Sequence, residues 1–102
     1  MNNTENLIQT IKERFDYESA KQVLKEKYEA KMLFALDGGM WCANTELITI
    51  LSMFTDETIV IVDTYGNPCR VNRENLLHDA KERFQEQMNA WLHEYNEVSR
   101  QR

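Results

Sequence analysis

The chain has 102 residues, of which 42% are hydrophobic and 28% charged, and it carries a formal net charge of −5. This length supports one hydrophobic core of modest size, so we predict a single domain over residues 1–102. Lysine and arginine alternate with acidic residues along the predicted helices, which argues against the concentrated positive surface that nucleic-acid binding requires.

The N-terminus and the cysteines indicate where the protein works. No basic segment followed by an apolar one opens the sequence, and no stretch approaches the ~20 apolar residues of a membrane span. We therefore predict a cytoplasmic protein without a membrane partner. Cys42 and Cys69 both lie in apolar sequence, which favours reduced thiols, while a disulfide between them stays open at this point.

The first third of the chain is predicted to form two helices. An apolar stripe at three- and four-residue intervals predicts the first, over residues 4–15. Asp16 then stands where a new N-cap would serve, and a second stripe predicts another helix over 17–37, with a break or kink between the two. Gly38 and Gly39 are predicted to end that helix, because glycine adopts the left-handed conformation of a C-cap. The first stripe comprises Leu7, Ile8, Ile11 and Phe15, and the second comprises Tyr17, Ala20, Leu24, Tyr28, Met32 and Ala35.

A short strand and a short helix are predicted next. Residues 40–43 are apolar and stand between glycine and two polar residues, which favours a brief strand over a helical turn. Asn44 or Thr45 can cap a helix over 45–54, whose apolar residues occupy most of its circumference. We therefore expect this helix to be heavily buried.

A β-hairpin is predicted at 58–71. Its first strand, 58–63, alternates isoleucine and valine, so both faces carry β-branched residues and we expect the strand to be central. The chain turns at Tyr65-Gly66-Asn67-Pro68 and returns over 69–71. With the strand at 40–43 on the other edge, we predict a small, mostly antiparallel sheet of three strands.

A long helix over 73–99 is predicted to follow, so the fold class is α+β and predominantly helical. The helix would be ~40 Å long, whereas a compact chain of this size has a radius of gyration of ~13 Å, so it must run the length of the domain. We expect the N-terminal helices to pack antiparallel on it, with the first covering its distal half. Without that cover, its distal stripe would be exposed and would favour a homodimer through this helix or a protein partner. The apolar stripe of this helix comprises Leu77, Phe84, Trp91 and Val98 at seven-residue intervals, flanked by Ala80, Met88 and Tyr95, and its distal part comprises Trp91, Tyr95 and Val98.

No catalytic, cofactor-binding or metal-binding constellation is predicted. His78 and His93 are fifteen residues apart on the predicted last helix, an offset that does not bring them into contact. With the two histidines, Cys42 and Cys69 would make four potential zinc ligands, yet these residues lack Cys-x-x-Cys and His-x₃₋₅-His spacing.

Five short motifs stand out in the second half of the chain: Thr45-Glu46-Leu47-Ile48, Tyr65-Gly66-Asn67-Pro68, Val71-Asn72-Arg73, Arg83-Phe84 and Trp91-Leu92-His93-Glu94-Tyr95. Through them, roughly residues 37–100 resemble small uncharacterised proteins encoded by T4-like tailed bacteriophages. The resemblance brings no catalytic motif with it. It implies a phage-encoded protein that acts in virion assembly or by binding a host protein, in the host cytoplasm or the virion.

Two functional hypotheses from different classes follow. The leading one is a non-enzymatic protein interaction or assembly protein, whose partner is another protein or a second copy of the chain. Its candidate partner contacts are Met40, Trp41, Tyr65, Trp91 and Tyr95. The alternative is a small ligand-binding module or enzyme that uses a sheet-edge pocket around Trp41, Cys42 and Cys69.

Overall fold

The computed structural model describes residues 3–100, which form three helices and two β-hairpins. The elements in chain order are α1 (Asn3–Lys31), β1 (Leu33–Leu36), β2 (Gly39–Cys42), α2 (Thr45–Met53), β3 (Thr58–Val62), β4 (Pro68–Asn72) and α3 (Arg73–Arg100). The long helices α1 and α3 lie side by side, and the hairpins and α2 form a head at one end. The molecule measures 67 × 24 × 20 Å, so it is a rod. The predicted α+β class, with helix predominating, is confirmed.

Helix α1 is continuous, and the predicted break near Asp16 is wrong. The apolar residues do change from one face of the helix to another at this point. A change of face resembles a break in the sequence, because both interrupt the 3.6-residue period. In the structure α1 continues without interruption at Asp16, and what changes there is whether the helix packs against α3.

The predicted helix over 17–37 ends early, at Lys31, because its last residues form strand β1. Strands β1 and β2 pair antiparallel, and Leu36 opposite Gly39 closes a two-residue loop. Both loop residues have positive φ, 51° at Asp37 and 79° at Gly38. Two successive positive φ values define the hairpin turn that Asp-Gly favours. The glycines therefore belong to a hairpin, and the predicted helix C-cap is wrong.

The predicted three-stranded sheet is also wrong, since β1–β2 and β3–β4 form two separate two-stranded sheets. Backbone and carboxylate hydrogen bonds join them. Thr64 N donates to Met40 O at 2.8 Å, and Met40 N donates to the Asp63 Oδ2 at 3.0 Å. The buried Asp63 carboxylate also accepts from the backbone N–H groups of Asn67 and Tyr65. The donors at Met40, Asn67 and Tyr65 hold the pKa of Asp63 below its ordinary value.

The hydrophobic core lies in the head, where both hairpins meet α2 and the first turns of α3. Of the two predicted caps of α2, Asn44 is the one observed, its Oδ1 accepting from Leu47 N at 2.8 Å. The expectation that α2 is heavily buried holds only for one face, because Leu51 is fully buried whereas Ile50 is exposed. The core comprises Met32, Phe34, Trp41, Ala43, Leu51, Ile59, Val71, Leu76 and Ala80.

Replacing Gly39 by alanine is expected to destabilise the head by about 1–3 kcal/mol through overpacking. A Cβ at this position would stand 2.7 Å from Trp41 Cζ2 and 3.1 Å from Cys69 Sγ. Urea unfolding measures the loss. Gly38→Ala is the matched control, because an added Cβ there meets nothing within 4 Å. The only cost expected is that of an alanine at positive φ, about 1 kcal/mol. A larger loss at Gly38 than at Gly39 would show that close packing is not the reason.

Candidate interaction surface on the first helix

The C-terminal half of α1 packs antiparallel on α3. Tyr28 is 2% exposed and stacks on Trp91, with ring centroids 6.1 Å apart and ring planes 8° from parallel. At the far end of this contact, Tyr17 Oη lies 3.5 Å from Ser99 Oγ. Ser99 is the last residue but one of α3 within the described range, so the contact seen between the two helices extends to about Tyr17.

A polar cluster fixes the register of α1 on α3. The Lys27 Nζ lies 2.6 Å from Glu94 Oε1, and Tyr28 Oη donates a hydrogen bond to the same oxygen. These two hydrogen bonds, of which the one from Lys27 has the larger effect, hold the pKa of Glu94 below its ordinary value of 4.5. The same contacts raise the pKa of Lys27 and of Tyr28, because each favours the protonated donor beside a carboxylate.

Glu94 is expected to make the fold sensitive to acid. A carboxylate whose pKa is lowered by folding contributes stability above its unfolded pKa, near 4.5, and loses that contribution as the pH falls through the folded value. Wild type should therefore melt at a higher temperature than Glu94→Gln at pH 7, and the difference should shrink as the pH falls below about 4.5. Thermal melts at several pH values measure this difference. The Glu94 side chain is 37% exposed, so 1 M salt should also shrink it. A difference that is constant from pH 7 to pH 3 would contradict this role of the carboxylate.

The N-terminal half of α1 projects beyond the end of α3 and carries an exposed apolar stripe. Its members Leu7, Ile8, Ile11 and Phe15 are 60%, 61%, 60% and 69% exposed, respectively. We call these four residues the α1 stripe. The projecting segment, from Asn3 to about Phe15, is ~20 Å long at 1.5 Å per residue. The prediction that this part of the chain covers the distal half of α3 is wrong, because it extends past that helix.

The α1 stripe points away from the face of α1 that packs on α3. At 100° per residue, the mean direction of the stripe differs from that of Tyr17, Leu24 and Tyr28 by roughly 135°. Upstream of Tyr17, the α3-facing side of α1 becomes polar. Thr10 Oγ1 there donates to Asn6 O at 2.9 Å. The α1 stripe is therefore a separate surface and not an unfinished continuation of the contact with α3.

The five predicted partner contacts do not form one surface. Trp41 was predicted to contact a partner but belongs to the core, because it is 2% exposed and its indole N–H donates to Leu36 O at 2.8 Å. Trp91 is half-buried against Tyr28. The remaining three reach solvent at different places: Met40 is half-buried and Tyr65 69% exposed in the head, and Tyr95 is 37% exposed near the end of α3.

The sheet edge where a pocket was predicted is closely packed around Gly39. Trp41 and Cys69 both approach Gly39 closely, which leaves no room there for a methyl group. Cys42 and Cys69 are free thiols, each half-buried. Burial raises the pKa of the Cys42 thiol, which disfavours the thiolate that a nucleophile or metal ligand requires.

One group of potential metal ligands occurs in residues 3–100, in the first half of α3. Ligand atoms of His78, Asp79 and Glu82 lie within 4.8 Å of one another. His78 Nε2 is 3.3 Å from Glu82 Oε2, and their side chains are 76% and 59% exposed. A solvated pair one helical turn apart explains this geometry without a bound ion.

Comparison of the chain with protein families, with curated proteins and with solved structures found no match. The similarity to proteins of T4-like phages therefore stays a prediction. Among the helices within residues 3–100, none combines the length and the apolar composition needed to cross a membrane.

Sequence reasoning assigned the α1 stripe to a helix but missed that the stripe is exposed. The sequence does contain a signal, since the apolar positions change face between Phe15 and Tyr17 on a helix that has no glycine or proline there. Two apolar faces on one uninterrupted helix indicate two different neighbours.

Proposed function

We propose that the protein is a non-enzymatic interaction or assembly module whose contact surface is the α1 stripe. The observation that carries this proposal is the exposure of four large apolar side chains, at 60–69%, on a helix segment beyond the end of α3. Large contiguous apolar surface is typical of protein-binding sites, because water favours its burial against a complementary surface.

A helix that presents apolar residues about one turn apart fits a recognised mode of protein binding. Ile8, Ile11 and Phe15 follow three- and four-residue intervals, which place them along one side of α1. The helix is continuous with the part of α1 that packs on α3, so a partner meets a segment that is already helical. Less conformational entropy is then lost on binding than for a disordered peptide. If the chain is phage-encoded, as the resemblance predicts, the partner would be a virion or host protein, or a second copy of the chain.

Site-specific photocrosslinking in cells tests this function. A photoactivatable amino acid at Ile11 should form a crosslinked product with a defined protein, which mass spectrometry identifies. Val23 provides a matched control, because it is an apolar residue on the same helix with a similar exposure of 63%, yet it lies off the stripe. Crosslinking at neither position, or equally at both, would contradict the proposal that the α1 stripe is a binding surface.

A further inference from the structure

We propose that the α1 stripe binds the α1 stripe of a second copy of this chain, as an antiparallel helix pair with two-fold symmetry. This inference rests on the proposed function and names its partner. A two-fold interface uses the same surface on both copies, so that surface must complement itself. The stripe can be tested for self-complementarity by pairing its residues in each register that an antiparallel coiled coil allows.

One register matches apolar residues on both sides of the two-fold axis. An axis that passes between Gln9 and Thr10 sets Ile8 of each copy beside Ile11 of the other, so this contact occurs two times in the dimer. The next layers outward then set Thr4 beside Phe15. All of these residues lie in the projecting segment of α1. The register therefore uses the exposed stripe and brings no charged side chain into its centre.

The charges beside the stripe favour the same register. Glu5 of each copy then lies diagonally opposite Lys12 of the other, which gives two ion pairs across the axis. A shift by one heptad towards the C-terminus sets Lys12 against Lys12 and Arg14 against Arg14, and it also brings Glu18 onto Ile8. Like charges in these positions are destabilising. A parallel pair in register gains neither of the Glu5–Lys12 pairs.

The geometry of the rod leaves space for the second copy. Because the stripe lies roughly 135° around α1 from the contact with α3, and in the segment beyond that contact, a helix on the stripe does not meet α3. The same side of α1 becomes polar after Phe15, with Glu18, Gln22 and Glu26 following one another, and Gln22 Nε2 donates to Glu26 Oε1 at 3.0 Å. The pairing is thereby limited to the segment between Asn3 and about Phe15.

The area of this contact predicts a weak dimer. Full burial of the four stripe residues in both copies would remove on the order of 1,000 Å² from water, at the lower limit for specific interfaces. We therefore expect a dissociation constant in the range of about 1–100 µM. The dimer would be a longer rod of roughly 110 Å, with its overlap near the middle and one head at each end.

Sedimentation equilibrium of the full chain from about 1 to 300 µM tests the association. The mass should rise from 12.1 kDa towards twice that value. Ile11→Asp should weaken the dimer by about tenfold or more, because a charge would be buried at its centre. Val23→Asp, at an equally exposed site outside the stripe, should leave it unchanged. Circular dichroism checks that each variant keeps its helix content. A strict monomer over the whole range, or equal effects of the two variants, would overturn the inference.

Charge reversal tests the register. Lys12→Glu should weaken the dimer several-fold, because it faces Glu5, and adding Glu5→Lys should restore the wild-type affinity. A parallel dimer, or one in another register, would not show this reversal, and its absence would overturn the antiparallel pairing. The photocrosslink at Ile11 distinguishes failure of the dimer from failure of the binding function. Capture of a different protein by a chain that stays monomeric would refute self-association and retain the binding function. Absence of both a captured protein and a dimer would refute both proposals.

Discussion

Replacing Trp41 by alanine is expected to lower the free energy of unfolding by about 3–5 kcal/mol, because the change leaves a large cavity in the core. The side chain is 2% exposed, and its loss would also leave Leu36 O without the indole donor. Small domains have a total stability of about 5–15 kcal/mol, so this loss would remove at least about a fifth of the total. Urea unfolding followed by circular dichroism measures the change.

Tyr65→Ala is the matched control for Trp41→Ala. Both residues are aromatic and belong to hairpins in the head, yet the Tyr65 side chain is 69% exposed. Its truncation should change the free energy of unfolding by no more than about 0.5 kcal/mol. Similar losses for the two variants would show that Trp41 does not fill the core as described.

Leu76→Ala is expected to cost about 2–5 kcal/mol, the range for deleting a fully buried leucine side chain. Leu76 is 0% exposed and lies in the first turn of α3, where that helix packs in the core with Val71 and Leu51. The loss should appear as a lower urea midpoint with an unchanged dependence on urea concentration, because the surface exposed on unfolding stays nearly the same.

The same substitution further along α3 provides the control for Leu76. Leu92 is 58% exposed, so Leu92→Ala should change stability by about 0.5 kcal/mol or less. The contrast between Leu76 and Leu92 also tests which side of α3 faces the core. The heptad pattern placed Leu77 in the apolar stripe, whereas in the structure Leu77 is half-buried and its neighbour Leu76 is fully buried. A larger effect at Leu92 would indicate that α3 is rotated relative to the arrangement described.

Elements with strong local signals were predicted well. Asn44, one of two predicted caps, caps α2 through Leu47 N, and the last helix, predicted from residue 73, begins at Arg73, where Asn72 Oδ1 accepts from Asn75 N at 3.0 Å. Each cap involves residues three apart, so a short stretch of sequence contains all the information needed. The β3–β4 hairpin was predicted for the same reason, because the turn after Asp63 brings two strands together that are close in sequence.

The errors arose where one pattern has two physical meanings. Asp37 and Gly38 tolerate positive φ, which serves a helix C-cap and a hairpin turn equally well. The choice depends on whether residues 33–36 pair with 39–42, and their hydrophobicity alone does not decide this. The predicted three-stranded sheet failed because pairing between distant strands depends on the packing of the whole head.

The exposure of the α1 stripe could not be derived from the helix that carries it. Ile11 has the same local pattern as a buried core residue, and it is uncovered because its face of α1 points away from α3 and because of the position of α1 along α3. That position depends on contacts such as Lys27 with Glu94, which are 67 residues apart in sequence. The sequence therefore predicts an apolar helix face, and the tertiary structure determines whether that face is covered.

The rod shape affects how the size of this protein must be measured. The radius of gyration is 19.7 Å, whereas a compact chain of about 100 residues has ~13 Å. A monomer of this shape experiences more friction than a sphere of the same mass, so it will elute early from a gel-filtration column calibrated with globular standards. Its elution volume would suggest a dimer even where each particle weighs 12.1 kDa. Light scattering or sedimentation equilibrium, which report mass independently of shape, will therefore distinguish an elongated monomer from a true pair.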